Sequence, residues 1–204
     1  MLSAPGREPV TVLELEPGRI VELVGSPGTG MTRLGLGLLA SVPGVVAVCD
    51  VRGWFCPLAA WEMEIDRERL VVVRCDDRHL WPRVVAALVE GVPGVYAEVP
   101  VGVGDQELRR LGALVRARRT RLALRPLRGP LPTGVAHLRL QAEGIGWEGA
   151  ERGWGRLRRR RLQVVASGKG VGGMERTIVV EEDGAGPVRV VSELGVGAGR
   201  RALG

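Results

Sequence analysis

The chain has 204 residues, of which 45% are hydrophobic and 25% charged, with a mean hydropathy of +0.09; this suffices for a packed core and excludes wholesale disorder. No apolar run approaches the roughly 18 residues of a membrane span, the first residues carry neither a basic nor an apolar signal region, and cysteines 49, 56 and 75 fit reduced thiols rather than a disulfide framework or a zinc site. The net charge of +6 is uneven, with nine Arg against thirteen Asp and Glu in residues 1–104 and twenty basic against ten acidic groups in 105–204.

These features predict a soluble, cytoplasmic, globular protein with no membrane segment. Lys169 is the only lysine among the 29 basic residues. The arginine excess reads either as GC-rich coding or as a basic half that meets phosphate or an acidic partner.

Residues 19–24 read as a buried strand and 30–40 as a helix, joined by a glycine-rich loop. A second strand over 45–49 ends at Asp50, and 59–66 reads as a helix. A third strand over 70–73, a helix over 77–90, a fourth strand over 95–98, a helix over 105–118 and a fifth strand over 121–124 follow. Alternating strands and helices call for a mainly parallel sheet with helices on both faces. Beyond about residue 130 the texture changes. Ala136, Leu138, Leu140 and Ala142 alternate with polar residues, as in a strand with one wet face. Segments 157–166 and 176–182 flank a glycine-rich hairpin turn at 167–173, one more strand is expected over 188–192, and 195–204 is expected to be flexible. The expected organisation is a short extension over 1–16, one domain over 17–192 and a tail over 193–204.

The segment from Gly25 to Thr32 lies between a strand and a helix, where a phosphate-binding loop belongs. It meets the pattern G-x-x-x-x-G-K-[ST] at Gly25, Gly30 and Thr32, with Gly28 between them, and breaks it at the lysine, which is Met31. Glycines let backbone N–H groups wrap a phosphate, and the helix N-terminus adds partial positive charge. The lysine would neutralise the outer phosphates, so its loss weakens nucleotide binding and removes an electrostatic contribution to phosphoryl transfer.

With the loop in place, the sequence resembles the RecA-like ATPases. Residues 16–25, residues 46–50 with Pro57, and residues 66–73 are similar to that family's first three strands and their approaches. The resemblance implies a RecA-like α/β core with antiparallel strands at the C-terminal end. It also implies that a glutamate two residues beyond Asp50 would activate water; that position is Arg52. The magnesium-associated aspartate corresponds to Glu98. The connections at 99–104 and 128–135, where the family carries DNA-binding loops, are short. A truncated, ATPase-degenerate RecA relative is what the ImuA proteins look like, and residues 69–74, 80–81, 86–88, 94–99, 108–111 and 122–126 resemble that family, within a likeness over roughly 10–185.

The resemblance implies a protein that is not an enzyme, needs no cofactor and contacts RecA or an ImuB-like Y-family polymerase homologue in DNA-damage response and translesion synthesis. Two rivals follow from the residues. One is a nucleotide-switched NTPase that binds ATP and magnesium through Glu98 and a substitute cation. The other is a DNA-binding protein using the cluster at 152–161, in which Arg156, Arg158, Arg159, Arg160 and Arg161 are the densest charges. The same cluster also fits a solvated edge strand protected by charge. Trp54 reads either as an exposed anchor for a partner or as a cover for the core. His79 and His137 have no partners at ligand spacing, and no metal site is expected.

Overall fold

The computed structural model describes residues 15–149, 158–183 and 189–194. Five short strands alternate with four helices: β1 (Ile20–Val24), α1 (Met31–Ala40), β2 (Val46–Asp50), α2 (Leu58–Trp61), β3 (Leu70–Arg74), α3 (Trp81–Gly91), β4 (Gly94–Val99), α4 (Asp105–Arg118) and β5 (Arg121–Pro126). Four longer strands follow: β6 (Leu138–Glu148), β7 (Arg159–Gly168), β8 (Arg176–Asp183) and β9 (Arg189–Leu194). They form one sheet in the order β3-β2-β4-β5-β1-β6-β7-β8-β9. Every pairing from β3 to β6 is parallel, and β6 to β9 are antiparallel.

The apolar strands dictate this arrangement. Every residue of β2 and β4 is buried, as expected of parallel strands covered on both faces. One face packs Val21, Leu23, Val48 and Tyr96 against Leu34, Leu36 and Leu39 of α1 and continues to Leu140, Leu162, Val164 and Val180. The other packs Ile20, Val95, Ala97, Leu122 and Leu124 against Trp81 and Val85 of α3 and Leu108, Leu111 and Val115 of α4. Tyr96 and Leu23 approach α1 so closely that a Cβ at Gly35 would lie 2.4 Å from Leu23 Cδ1.

Several boundaries differ from the sequence expectation for identifiable reasons. The helix expected over 59–66 stops after Trp61 because Glu64 adopts a left-handed conformation (φ 64°). Its N–H bonds the Trp61 carbonyl and the Ile65 N–H bonds that of Ala60, a Schellman closure that drives Met63 and Ile65 into the core. Helix α3 begins at Trp81 rather than 77, because Asp77 Oδ1 takes the His79 N–H at 2.7 Å and holds the chain in a turn. Strand β6 runs six residues past Ala142, through a register shift between Ala142 and Gly144. The hairpin between β7 and β8 is present, with a 3-10 turn at Lys169–Val171. The last strand runs to Leu194 rather than 192, so residues 193 and 194 of the expected tail belong to the strand, and 195–204 lie outside the described residues.

Cys49 and Cys75 are buried and Cys56 is exposed. Burial, with a smaller contribution from the neighbouring Cys75, pushes the Cys49 thiol up to about 12, and burial also raises Cys75. Thiolate is the reactive form, so iodoacetamide at pH 8 is expected to give one adduct, at Cys56, by mass spectrometry. Early alkylation of Cys49 would mean that the layer between β2 and α3 opens in solution.

Candidate functional site

The parallel strands deliver their last residues to one edge of the sheet, where α/β proteins bind ligands. β1 ends at the loop Gly25–Gly30, β2 at Asp50, β4 beside Glu98 and β5 beside Arg125, with Glu98 and Arg125 directly paired in register. The loop has the backbone its sequence requires. Gly28 and Gly30 sit at φ 85° and 83°, conformations open to glycine at little cost, and Thr29 Oγ1 braces the turn by donating to the Ser26 carbonyl at 2.7 Å. Helix α1 starts at the next residue, Met31.

Met31 points into the protein. It is fully buried in the core cluster with Leu34 and Leu36, so the lysine position contributes no charge to the loop. Thr32 is occupied as well: Arg125 Nη1 donates to its Oγ1 at 2.6 Å, and the Tyr96 hydroxyl lies 3.2 Å from it. Burial raises Tyr96 above the usual phenol range, with the Thr32 hydrogen bond and the Arg125 charge opposing. Arg125 is itself buried.

Glu98 is engaged on both oxygens. Its Oε2 accepts the backbone N–H groups of Val51 and Arg52 at 3.2 and 3.1 Å, and its Oε1 accepts Arg52 Nε at 3.0 Å and also Arg52 Nη2. These bonds raise Arg52 beyond its ordinary value. Arg52, at the position where the resemblance implied a water-activating glutamate, is thus a fixed counter-ion of Glu98, in a fork that matches a carboxylate. Asp50 accepts the N–H groups of Gly53, Trp54 and Phe55 and shapes the turn after β2. Trp54 is 71% exposed, so it does not cover the core; Arg52 lies over its ring at 4.7 Å.

The arginine cluster is not at an edge. β7 lies between β6 and β8, so the reading of the arginine cluster as a charge-protected edge strand is corrected: neighbouring strands satisfy the backbone and pair Arg159, Arg160 and Arg161 with glutamates. Arg159 and Arg161 project to one face and pair with Glu148 and Glu181. Arg160 projects to the other and pairs with Glu182. Arg158 is exposed before the strand, and Arg156 lies outside the described residues. Among the described residues no cluster of His, Cys, Asp or Glu could hold a metal ion, and no helix is long and apolar enough to cross a membrane.

Sequence reasoning passed over Arg125, Tyr96, Glu182 and Glu22. A charged residue inside an apolar strand was the available signal. Glu22, in the middle of β1, is buried and accepts the Leu131 N–H at 2.6 Å and Arg139 Nε at 2.7 Å, a pairing that buried charge demands.

Among solved structures, the chain is similar to the crystal structure of the RadB recombinase, with a TM-score of 0.58 over 80% of this chain and 88% of that one at 15% identity. That likeness bears on the fold, which is RecA-like as the sequence resemblance implied. No curated protein matches the sequence. The family described as the MT3502 N-terminal domain matches over residues 10–130, a stretch that contains β1 to β5 and helices α1 to α4, and this chain belongs to it.

Proposed function

We propose that the chain is a RecA-fold accessory protein that does not hydrolyse nucleotide and acts through protein contacts, with RecA or an ImuB-like Y-family polymerase homologue as its partners in DNA-damage response and translesion synthesis. One observation carries the inactivity. The two oxygen groups best placed for a magnesium ion, the Thr32 hydroxyl and the Glu98 carboxylate, are each engaged by an arginine, Arg125 and Arg52. A divalent cation entering there would meet two guanidinium groups, and no lysine from the loop would face the outer phosphates. The partner assignment rests on the resemblance to ImuA.

The test is a calorimetric titration with ATP and magnesium, together with phosphate release measured against a Thr32→Ala control. The expected outcome is no heat at millimolar ATP and release no faster than the control. Turnover above the control would overturn the inactive reading; micromolar binding without turnover would favour a nucleotide switch. The partner half is tested by co-purification of the full chain with RecA and with the polymerase homologue, and failure to retain either would remove it.

A further inference from the structure

Arg160 does more than balance its neighbour. The last five residue pairs between β6 and β7, from Gly144–Gln163 to Glu148–Arg159, carry the hairpin past the end of β1. There the Arg160 guanidinium packs against Gly30, the glycine that closes the phosphate loop, so closely that a Cβ on Gly30 would overlap it. Its outer side stacks at 5.5 Å from the Trp147 ring centroid, and its side chain is only 11% exposed. Glu182 of β8 holds it by an ion pair and is held in turn by Arg33 Nε of α1 at 2.5 Å, while Arg33 also reaches Glu62 beyond α2. The chain Trp147–Arg160–Glu182–Arg33–Glu62 therefore ties the C-terminal hairpins to the loop, to α1 and to the turn after α2. A cleft lined by Gly30, Leu34, Arg160, Leu162, Val180 and Glu182 lies beside the loop.

We propose that the Arg160–Glu182 pair is an autoinhibitory lock on the phosphate loop, with the Glu182 carboxylate as the internal anion that satisfies the cation packed against Gly30. The proposal rests on the reading of this site as non-hydrolytic and adds a reason the loop does not take up an anion. The physical balance is simple. The loop and the α1 N-terminus present N–H dipoles that favour negative charge, and Arg160 adds a full positive charge beside them. With Glu182 ionised, it and Glu62 balance Arg160 and Arg33, so only the N–H dipoles are left to draw an anion, against a carboxylate beside the loop. Without that charge, Arg160 is an uncompensated cation facing the loop, while Arg33 keeps Glu62. A phosphate-bearing ligand would then be held by the loop and Arg160 with no divalent metal, since Arg125 and Arg52 hold the groups a metal would need.

The test uses the full chain and ATP as the probe, with EDTA in one arm and magnesium in the other, read by calorimetry. Glu182→Gln keeps the shape and removes the charge. It is expected to bind ATP at least tenfold more tightly than the wild-type chain, as well in EDTA as in magnesium. The double variant Arg160→Gln with Glu182→Gln is expected to lose the gain. If Glu182→Gln fails to fold by circular dichroism, Glu182→Asp, one methylene too short to span Arg33 and Arg160 together, should show a smaller gain in the same assay. Binding no tighter than wild type in the folded variant, or a gain that survives removal of Arg160, overturns the lock and leaves the non-hydrolytic reading standing. Turnover by the wild-type chain would overturn that reading instead.

Discussion

Met31→Lys, which restores the letter of the phosphate-loop pattern, is expected to cost about 3 kcal/mol or more of folding stability and to yield no ATP hydrolysis. The side chain at this position is fully buried among α1, β1 and β4 residues. Its Cγ lies 2.9 Å from where a Cβ on Gly25 would stand, with the Ala142 methyl on the same side. A lysine following this path would place its ammonium in apolar surroundings, where the charged form is strongly disfavoured. Only a turn of the side chain toward the loop avoids that cost, and it would bring the ammonium near a site that already holds Arg125 on Thr32. Urea denaturation and phosphate release measure the two halves separately. A stable, hydrolysing Met31→Lys protein would show that one residue separates this chain from a working ATPase, and the inactive reading would fall. A stable but silent variant would place the remaining block at Arg52 and Arg125.

What could be read from the sequence followed the range of the interaction responsible. The strands β1, β2, β4 and β5 announce themselves because each is short, mostly apolar and largely buried, and the loop after β1 because backbone torsions at Gly28 and Gly30 need glycine locally. The early end of α2 was hidden, since nothing in the residue type of Glu64 requires a left-handed torsion; the burial of Met63 and Ile65 imposes it. Arginines were harder still. Arg52 was conspicuous as a replacement at a known position, but its partner Glu98 lies 46 residues on, and the Arg125–Thr32 bond spans 93 residues. Arg160 read as part of a uniform basic run. The alternation of β7 gives it a different face from Arg159 and Arg161, and hence a different role.

Glu98→Ala separates the structural from the catalytic meaning of the same residue, and the expected result is a loss of about 3–5 kcal/mol in stability. If Glu98 served only a magnesium ion, its removal would abolish turnover with little cost to the fold. Its partners argue otherwise. It is 5% exposed and accepts two backbone N–H groups from the turn after β2 and two bonds from the Arg52 guanidinium. Truncation would leave those donors unsatisfied and Arg52, with a side chain only 21% exposed, without its counter-ion. Losing one partner of a buried pair costs more than losing both, because the survivor keeps its desolvation penalty. The double variant Arg52→Ala with Glu98→Ala should therefore be less destabilised than the sum of the single variants, with a coupling within about 0.5–3 kcal/mol. Denaturant midpoints for the three variants decide the point. Additive losses would mean that the pair is incidental, and Glu98 would again be a candidate for binding metal.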